Sequence, residues 1–133
     1  MEISFFCENR DYLRVKAKVP VRYRFLSNTI QHPVLGEMFQ GETCDLSGGG
    51  ILLEGRIPEE SWIPELLMER ITVGVSVYLP DAHEPVRALA RVAWLNTGDN
   101  ENLDASKMGL KFVEITREAQ DRLFRYILED LLP

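Results

Sequence analysis

A period of two runs through residues 14–25, which read RVKAKVPVRYRF. Apolar residues fill the odd positions, and the cations Arg14, Lys16, Lys18, Arg22 and Arg24 fill even ones. This alternation predicts a β-strand, extending to residue 26, with one face in a core and a basic face turned outward. Pro20 lacks the N–H that a ladder requires, so it marks an edge, a bulge or a bend within this strand.

The same period recurs along most of the chain. Further strands are predicted at about 38–44, 50–54, 71–79, 86–94 and 108–112, and a short helix with Pro64 in its first turn is one interpretation of residues 58–70. From Thr116, a fitting N-cap, the period changes to that of a helix. About six strands with short connections and a terminal helix predict a mainly β fold, an antiparallel barrel capped by a helix.

Composition narrows the class of protein. The chain has 133 residues, enough for a single domain, and a net charge of −6, which argues against general nucleic-acid binding. Residues 1–26 nevertheless carry a local balance of +3, so a small, multiply anionic ligand is favoured over a polymer. There is no apolar run long enough to span a membrane, and residues 1–8 are acidic where a secretory signal is basic, so no such signal is expected. Cys7 and Cys44 are interpreted as reduced thiols. We therefore predict a cytoplasmic protein.

The most unusual local feature is Asp45-Leu46-Ser47-Gly48-Gly49-Gly50, which we place in a loop between two strands. Consecutive glycines suit a backbone that approaches a ligand closely. Asp45 and Ser47 point to one side of an extended segment, where a carboxylate and a hydroxyl match the donor edge of guanine. The alternative is an Asx or Ser turn with a glycine bulge.

Two arginines, Arg10 and Arg14, precede the basic strand. Guanidinium groups four residues apart can fork onto phosphate oxygens or onto the N7/O6 edge of guanine. The alternative is a pair of solvated surface arginines.

Taken in order, Arg10-Asp11-Tyr12-Leu13-Arg14 and the Asp45–Gly50 segment resemble the RxxxR and [DN]xSxxG motifs of the PilZ domain family. Met108-Gly109-Leu110-Lys111-Phe112 and the helix after it are similar to the closing strand and helix of that family. The resemblance covers about residues 9–131. It implies a six-stranded antiparallel split β-barrel that binds cyclic di-GMP, a second messenger of bacterial signalling.

The resemblance also implies the site. Its ligand-binding residues would be Arg10, Arg14, Asp45, Ser47, Gly49 and Gly50. One domain over residues 1–133 would comprise a mobile segment at 1–14 that wraps over the nucleotide, a barrel at 15–114 and a helix at 116–132. Asn9 stands where many members carry another arginine, which leaves open whether one nucleotide or a stacked pair binds.

The function expected is that of a receptor that orders its arginine segment on binding cyclic di-GMP and signals to a protein of the motility, pilus or polysaccharide machinery. Catalysis, a cofactor, a metal, DNA and RNA are not expected. Two alternatives are a PilZ-like adaptor that binds only protein and, more remotely, an enzyme acting on nucleotides. Self-association through the terminal helix is left open.

The remaining candidate residues are assigned structural or surface roles, or no role. His32 and His83 lack metal-ligand spacing and are assigned surface or structural roles. Trp62 and Trp94 are expected in the core or at its rim rather than as stacking platforms, and Arg91 is placed on an outward face without an assigned role.

Overall fold

The computed structural model describes residues 13–80, 82–98 and 103–132. Within these ranges the chain forms seven strands, two α-helices and a 3₁₀ helix at Leu103–Ala105. The strands and α-helices are β1 (Arg14–Lys16), β2 (Pro20–Leu26), β3 (Phe39–Ser47), β4 (Gly50–Gly55), α1 (Trp62–Leu67), β5 (Thr72–Val77), β6 (Val86–Asn96), β7 (Ser106–Ile115) and α2 (Arg117–Leu131).

All strand pairs are antiparallel, and six strands close into a barrel in the order β3, β2, β5, β6, β7, β4 and back to β3. The seventh strand, β1, pairs with the end of β3 that β2 leaves free. The predicted mainly β fold, a six-stranded antiparallel barrel with a C-terminal helix, is confirmed, and β1 is an addition to it.

The basic stretch that predicts one strand forms two, β1 and β2, with a break between them. Thr43 of β3 fills the break, because its hydroxyl accepts a hydrogen bond from the Val19 N–H at 2.9 Å and donates one to the Ala17 carbonyl at 2.5 Å. The side chain thus replaces ladder hydrogen bonds over the residues that precede Pro20. Arg14 is thereby held opposite Ser47, at the far end of β3.

Several predicted boundaries are wrong by two or more residues, and two of them bear on the arrangement of β3, β4 and β7. β3 continues through Ser47, so Asp45 and Ser47 lie in a strand and the expected loop shrinks to Gly48 and Gly49. The reason is β1, which supplies ladder partners for residues 45–47. The last strand is also longer than expected, since β7 lies between β4 and β6 and is paired on both sides.

The short helix proposed within residues 58–70 is confirmed as α1, and it carries part of an aromatic cluster. Trp62 is buried and meets Phe25 edge to face, with ring centroids 5.4 Å apart. His32 packs edge-on against Trp62 at 5.2 Å, and its Nε2 lies 3.5 Å from a Glu59 carboxylate oxygen. The core position predicted for Trp62 and the structural role of His32 are therefore confirmed.

The helix α2 covers one side of the barrel. Thr116 caps it as predicted, since its hydroxyl accepts a hydrogen bond from the Ala119 N–H at 3.1 Å. One face of α2 is buried through Ala119, Leu123 and Ile127, and the helix contacts β1, β3 and β6. In the described ranges, no helix has the length and apolarity needed to cross a membrane.

Candidate functional site

A cavity of about 390 Å³ opens beside the turn between β3 and β4. Five strands supply its lining, which comprises Arg14, Ser47, Gly49, Gly50, Ile51, Leu52, Ala93, Trp94, Gly109, Leu110 and Lys111. Four of the predicted site residues, Arg14, Ser47, Gly49 and Gly50, are therefore brought together here. Arg10 lies outside the described residues, as does Asn9 before it.

Ser47 builds the turn at the edge of this cavity. Its hydroxyl accepts a hydrogen bond from the Gly50 N–H and donates one to the Gly50 carbonyl, both at 3.1 Å. The residue is 3% exposed, so this hydroxyl is occupied by backbone groups inside the protein. The Ser-turn interpretation is thus confirmed, while contact between Ser47 and a guanine edge stays a prediction.

The glycines of this turn allow two strands and a helix to approach one another. A Cβ at Gly50 would overlap the Leu110 carbonyl oxygen of β7, which explains why glycine is needed at that position. The Gly49 carbonyl accepts a hydrogen bond from the Phe112 N–H at 2.9 Å. From α2, the Gln120 side-chain amide donates one to the Gly48 carbonyl, also at 2.9 Å. The turn is therefore fixed from two sides before any ligand arrives.

Arg14 is the main cation of the cavity. Its side chain is 64% exposed, and Nη1 lies 3.6 Å from a carboxylate oxygen of Asp45. At this exposure the ion pair is worth at most about 1 kcal/mol, so it orients the guanidinium without holding it firmly. Asp45 lies on β3, the strand that pairs with β1, and does not line the cavity itself. It stands beside the cavity, where it positions Arg14.

Trp94 and Lys111 also line the cavity, and neither is among the predicted site residues. Lys111 adds a second exposed cation. Trp94 is 48% exposed, so of the two positions expected for it, core or rim, it takes the rim. A β-bulge between Val92 and Trp94 shifts the register by one, turning the indole outward and opposite Gly109. In the sequence, the signal for this position of Trp94 is Gly109, a glycine at an outward position of the neighbouring strand, which leaves room for the indole.

Other candidate residues lie elsewhere. Arg91 does not line the cavity; its Nε lies 4.0 Å from a Glu69 carboxylate oxygen. His83 is exposed. Among the described residues there is no group of three or more His, Cys, Asp or Glu side chains placed to hold a metal ion.

Comparison with known proteins gives one family. The model of the PilZ domain matches residues 8–129, whereas no curated protein matches the chain. Among solved structures, the Bacillus subtilis inhibitor of motility, MotI/DgrA, aligns with a TM-score of 0.62 at 18% identity over 90% of this chain. The alignment covers 50% of MotI/DgrA, so this chain spans about half the length of that protein.

Two isolated PilZ domains are similar over most of their own length. The PilZ domain of CeSA from a cellulose-synthesizing bacterium has a TM-score of 0.55 at 17% identity, with 89% of this chain and 97% of that one covered. The PilZ domain of YcgR from Escherichia coli, solved with c-di-GMP, has a TM-score of 0.57 at 19% identity, with 87% and 86% covered. At these identities the similarity concerns the fold.

Proposed function

The chain belongs to the PilZ domain family, and we propose that it is a receptor for cyclic di-GMP that signals to a partner protein. The observation that carries this proposal is the cavity itself. It combines an exposed arginine, an exposed tryptophan and a prebuilt glycine turn in one place.

The chemistry of the cavity suits a cyclic dinucleotide, which presents two phosphates and two guanine bases. Arg14 offers a planar fork of N–H donors for a phosphate or for the N7/O6 edge of guanine. Lys111 supplies a further positive charge on the opposite side of the glycine turn. The exposed indole of Trp94 provides a flat apolar surface on which a base stacks.

Asp45 and Ser47 have different roles in this proposal. Asp45 accepts hydrogen bonds from the N1–H and N2–H₂ groups of one guanine while Arg14 turns toward a phosphate, which exchanges a weak ion pair for charge-assisted bonds to the ligand. Ser47 closes the turn through which Gly49 and Gly50 present their backbone to the ligand, and its predicted contact with a guanine edge is part of the same proposal.

Arg10 completes the site when the nucleotide is bound. We place it over the nucleotide, on the N-terminal segment that leads into β1. Arg14 is already paired within β1, so the ordering step concerns the residues that precede it. This step gives a partner protein a surface that differs between the free and the bound receptor.

Isothermal titration with cyclic di-GMP tests the assignment. Arg10→Ala, Arg14→Ala and Asp45→Ala each remove charge-assisted hydrogen bonds worth roughly 1.5–3 kcal/mol, so each is expected to weaken binding about tenfold or more. Arg125→Ala, an exposed arginine on α2 outside the cavity, serves as the matched control and is expected to bind as the wild type does. Unchanged affinity in all three site variants contradicts the assignment.

The same experiment separates the alternative functions. If the wild-type protein is folded and the titration shows no heat of binding, the result supports an adaptor that binds only protein. Chromatography of the nucleotide after incubation with the protein addresses catalysis, since a linear dinucleotide or GMP would indicate a phosphodiesterase.

A further inference from the structure

A second groove, of about 440 Å³, crosses the outside of the barrel over β2, β5, β6 and the end of β7. Three arginines, Arg22, Arg24 and Arg87, line it together with apolar side chains, among them Leu26, Leu89 and Ile115. Two of these arginines belong to the basic alternation at residues 14–25, yet they lie outside the nucleotide cavity. The basic strand therefore serves two different surfaces.

Strand register brings the three cations together. Ser76 of β5 pairs with Arg22 on one side and with Arg87 on the other, so both arginines extend from the same level of the sheet. Arg24 lies one pleat further along β2, opposite Gly74. A Cβ at Gly74 would sit 3.6 Å from Arg24 Cγ and 3.3 Å from Leu26 Cδ1, so these side chains lie across the glycine. The groove exists because β5 has almost no side chain at that point.

The arginines of this groove outnumber the carboxylates that the described residues bring to it. No carboxylate of the described residues forms an ion pair with Arg22, Arg24 or Arg87. Arg22 instead lies over the Tyr78 ring, 5.6 Å from its centroid. Glu114 is the acidic residue in the lining, which leaves an excess of positive charge on a chain whose net charge is −6. Such a concentration of cations favours an anionic partner.

The form of the partner follows from the rest of the groove. Because the barrel is closed, the backbones of β2, β5 and β6 are already paired, so a partner must be held by side chains rather than by adding a strand. Nucleic acid is a poor match, since it requires a broader positive field and gains little from an apolar surface. A peptide with alternating acidic and apolar residues satisfies both features, with carboxylates on the guanidinium groups and apolar side chains against Leu26 and Leu89.

We propose that this groove, formed by β2, β5, β6 and the end of β7, docks an extended acidic segment of a partner protein. The groove shares no lining residue with the nucleotide cavity: β6 contributes Arg87 to Leu89 here and Ala93 and Trp94 there. A docked peptide would therefore contact none of the residues that line the nucleotide cavity, so peptide docking and nucleotide binding can be tested separately.

A peptide-display selection tests the proposal without knowledge of the natural partner. Random short peptides are selected on the wild-type protein and counter-selected on the Arg22→Gln/Arg87→Gln double variant, and enriched sequences are then synthesised with a fluorescent label. We expect enrichment of Asp and Glu interspersed with apolar residues. Fluorescence polarisation should show affinity reduced about tenfold or more by the double variant and unchanged by Arg125→Gln, an arginine on α2 remote from the groove.

Several outcomes overturn the proposal. These are selected peptides without acidic enrichment, equal binding to the double variant, and retention of affinity when glutamine replaces each glutamate and asparagine each aspartate. Tighter binding of a DNA oligonucleotide or of anionic lipid vesicles than of any selected peptide also overturns it. If the double variant does not fold, Arg24→Gln takes its place. Calorimetry with cyclic di-GMP on the same variants should show wild-type affinity, so failure of the proposed receptor function remains distinguishable.

Discussion

The indole of Trp94 lies directly over Gly109 of the neighbouring strand. A Cβ at Gly109 would stand 2.5 Å from Trp94 Cε2 and 2.6 Å from Cδ1, far inside contact distance. The two residues are paired across β6 and β7, next to the bulge that turns the indole outward. The backbone therefore presents an aromatic face to the cavity without help from a ligand.

This relationship predicts the effect of Gly109→Ala. The added methyl group should push the half-exposed indole off the sheet at a modest cost in stability, because the ring has room to move toward solvent. Nucleotide affinity should fall about as far as in Trp94→Ala, where loss of base stacking is worth about 1–3 kcal/mol. Calorimetry with cyclic di-GMP measures both variants. Wild-type affinity in Trp94→Ala would exclude the indole from the binding surface.

Gln120 offers a test of the prebuilt turn. Gln120→Ala removes the hydrogen bond from the side-chain amide to the Gly48 carbonyl, worth about 1 kcal/mol of unfolding free energy. We expect urea denaturation to show this loss of unfolding free energy. Nucleotide binding should also be weaker, although Gln120 does not line the cavity. Glu129→Ala, exposed on the same helix, is the control. Stability and affinity both equal to the wild type would show that the turn does not depend on α2.

The sequence predicts the strands well because barrel strands alternate between a buried and an exposed face. Val21, Tyr23 and Phe25 are buried as their odd positions require. The alternation fails where the ladder is irregular. Trp94 continues the inward positions of β6 by count, but a bulge reverses its direction, and a bulge depends on the partner strand rather than on local composition.

The sequence predicts those parts of the candidate site that belong to local motifs and misses those that depend on strand pairing or helix packing. Arg14 and the glycine turn belong to motifs that are visible in order along the chain, and the structure brings them to one cavity. Lys111 and Gln120 carry no local signal, since each reaches the site only through strand pairing or helix packing. Arg22 belongs to the same basic alternation as Arg14 but lies at a different surface, which the alternation alone does not reveal.

Two glycines of similar appearance should differ sharply on substitution. Gly50→Ala places a methyl group onto the Leu110 carbonyl oxygen, a backbone atom that cannot move without separating β4 from β7. We expect a loss of at least about 3 kcal/mol in unfolding free energy. In Gly74→Ala the nearest atom is Leu26 Cδ1 at 3.3 Å, a side-chain end that can yield, so a change within about 1 kcal/mol is expected. Urea denaturation compares them, and equal losses would contradict this explanation.

Tyr23 should make stability sensitive to alkaline pH. Burial raises its pKa from 10.0 to about 12, while its hydroxyl donates a 2.7 Å hydrogen bond to the Arg56 carbonyl. Because the folded state keeps the proton longer, this stabilisation is complete below pH 10 and is lost as pH rises through about 12.

Tyr23→Phe should therefore lower the free energy of unfolding by about 1 kcal/mol at pH 8, because the hydrogen bond is lost. Above pH 10 the free energy of unfolding should fall by about 2 kcal/mol less in the variant than in the wild type. Urea denaturation at a series of pH values measures both quantities. Parallel curves for the variant and the wild type would show that Tyr23 is not the group responsible.

The central claim, that the cavity beside Arg14 and the glycine turn binds cyclic di-GMP, is tested most directly by the two indole N–H signals in a ¹H–¹⁵N NMR titration. The chain has two tryptophans, Trp94 at the cavity and Trp62 buried in the core, so each titration carries its own internal control. We predict that the Trp94 signal shifts in a saturable way as cyclic di-GMP is added while the Trp62 signal stays in place. A Trp94 signal that does not move at saturating nucleotide would contradict the claim.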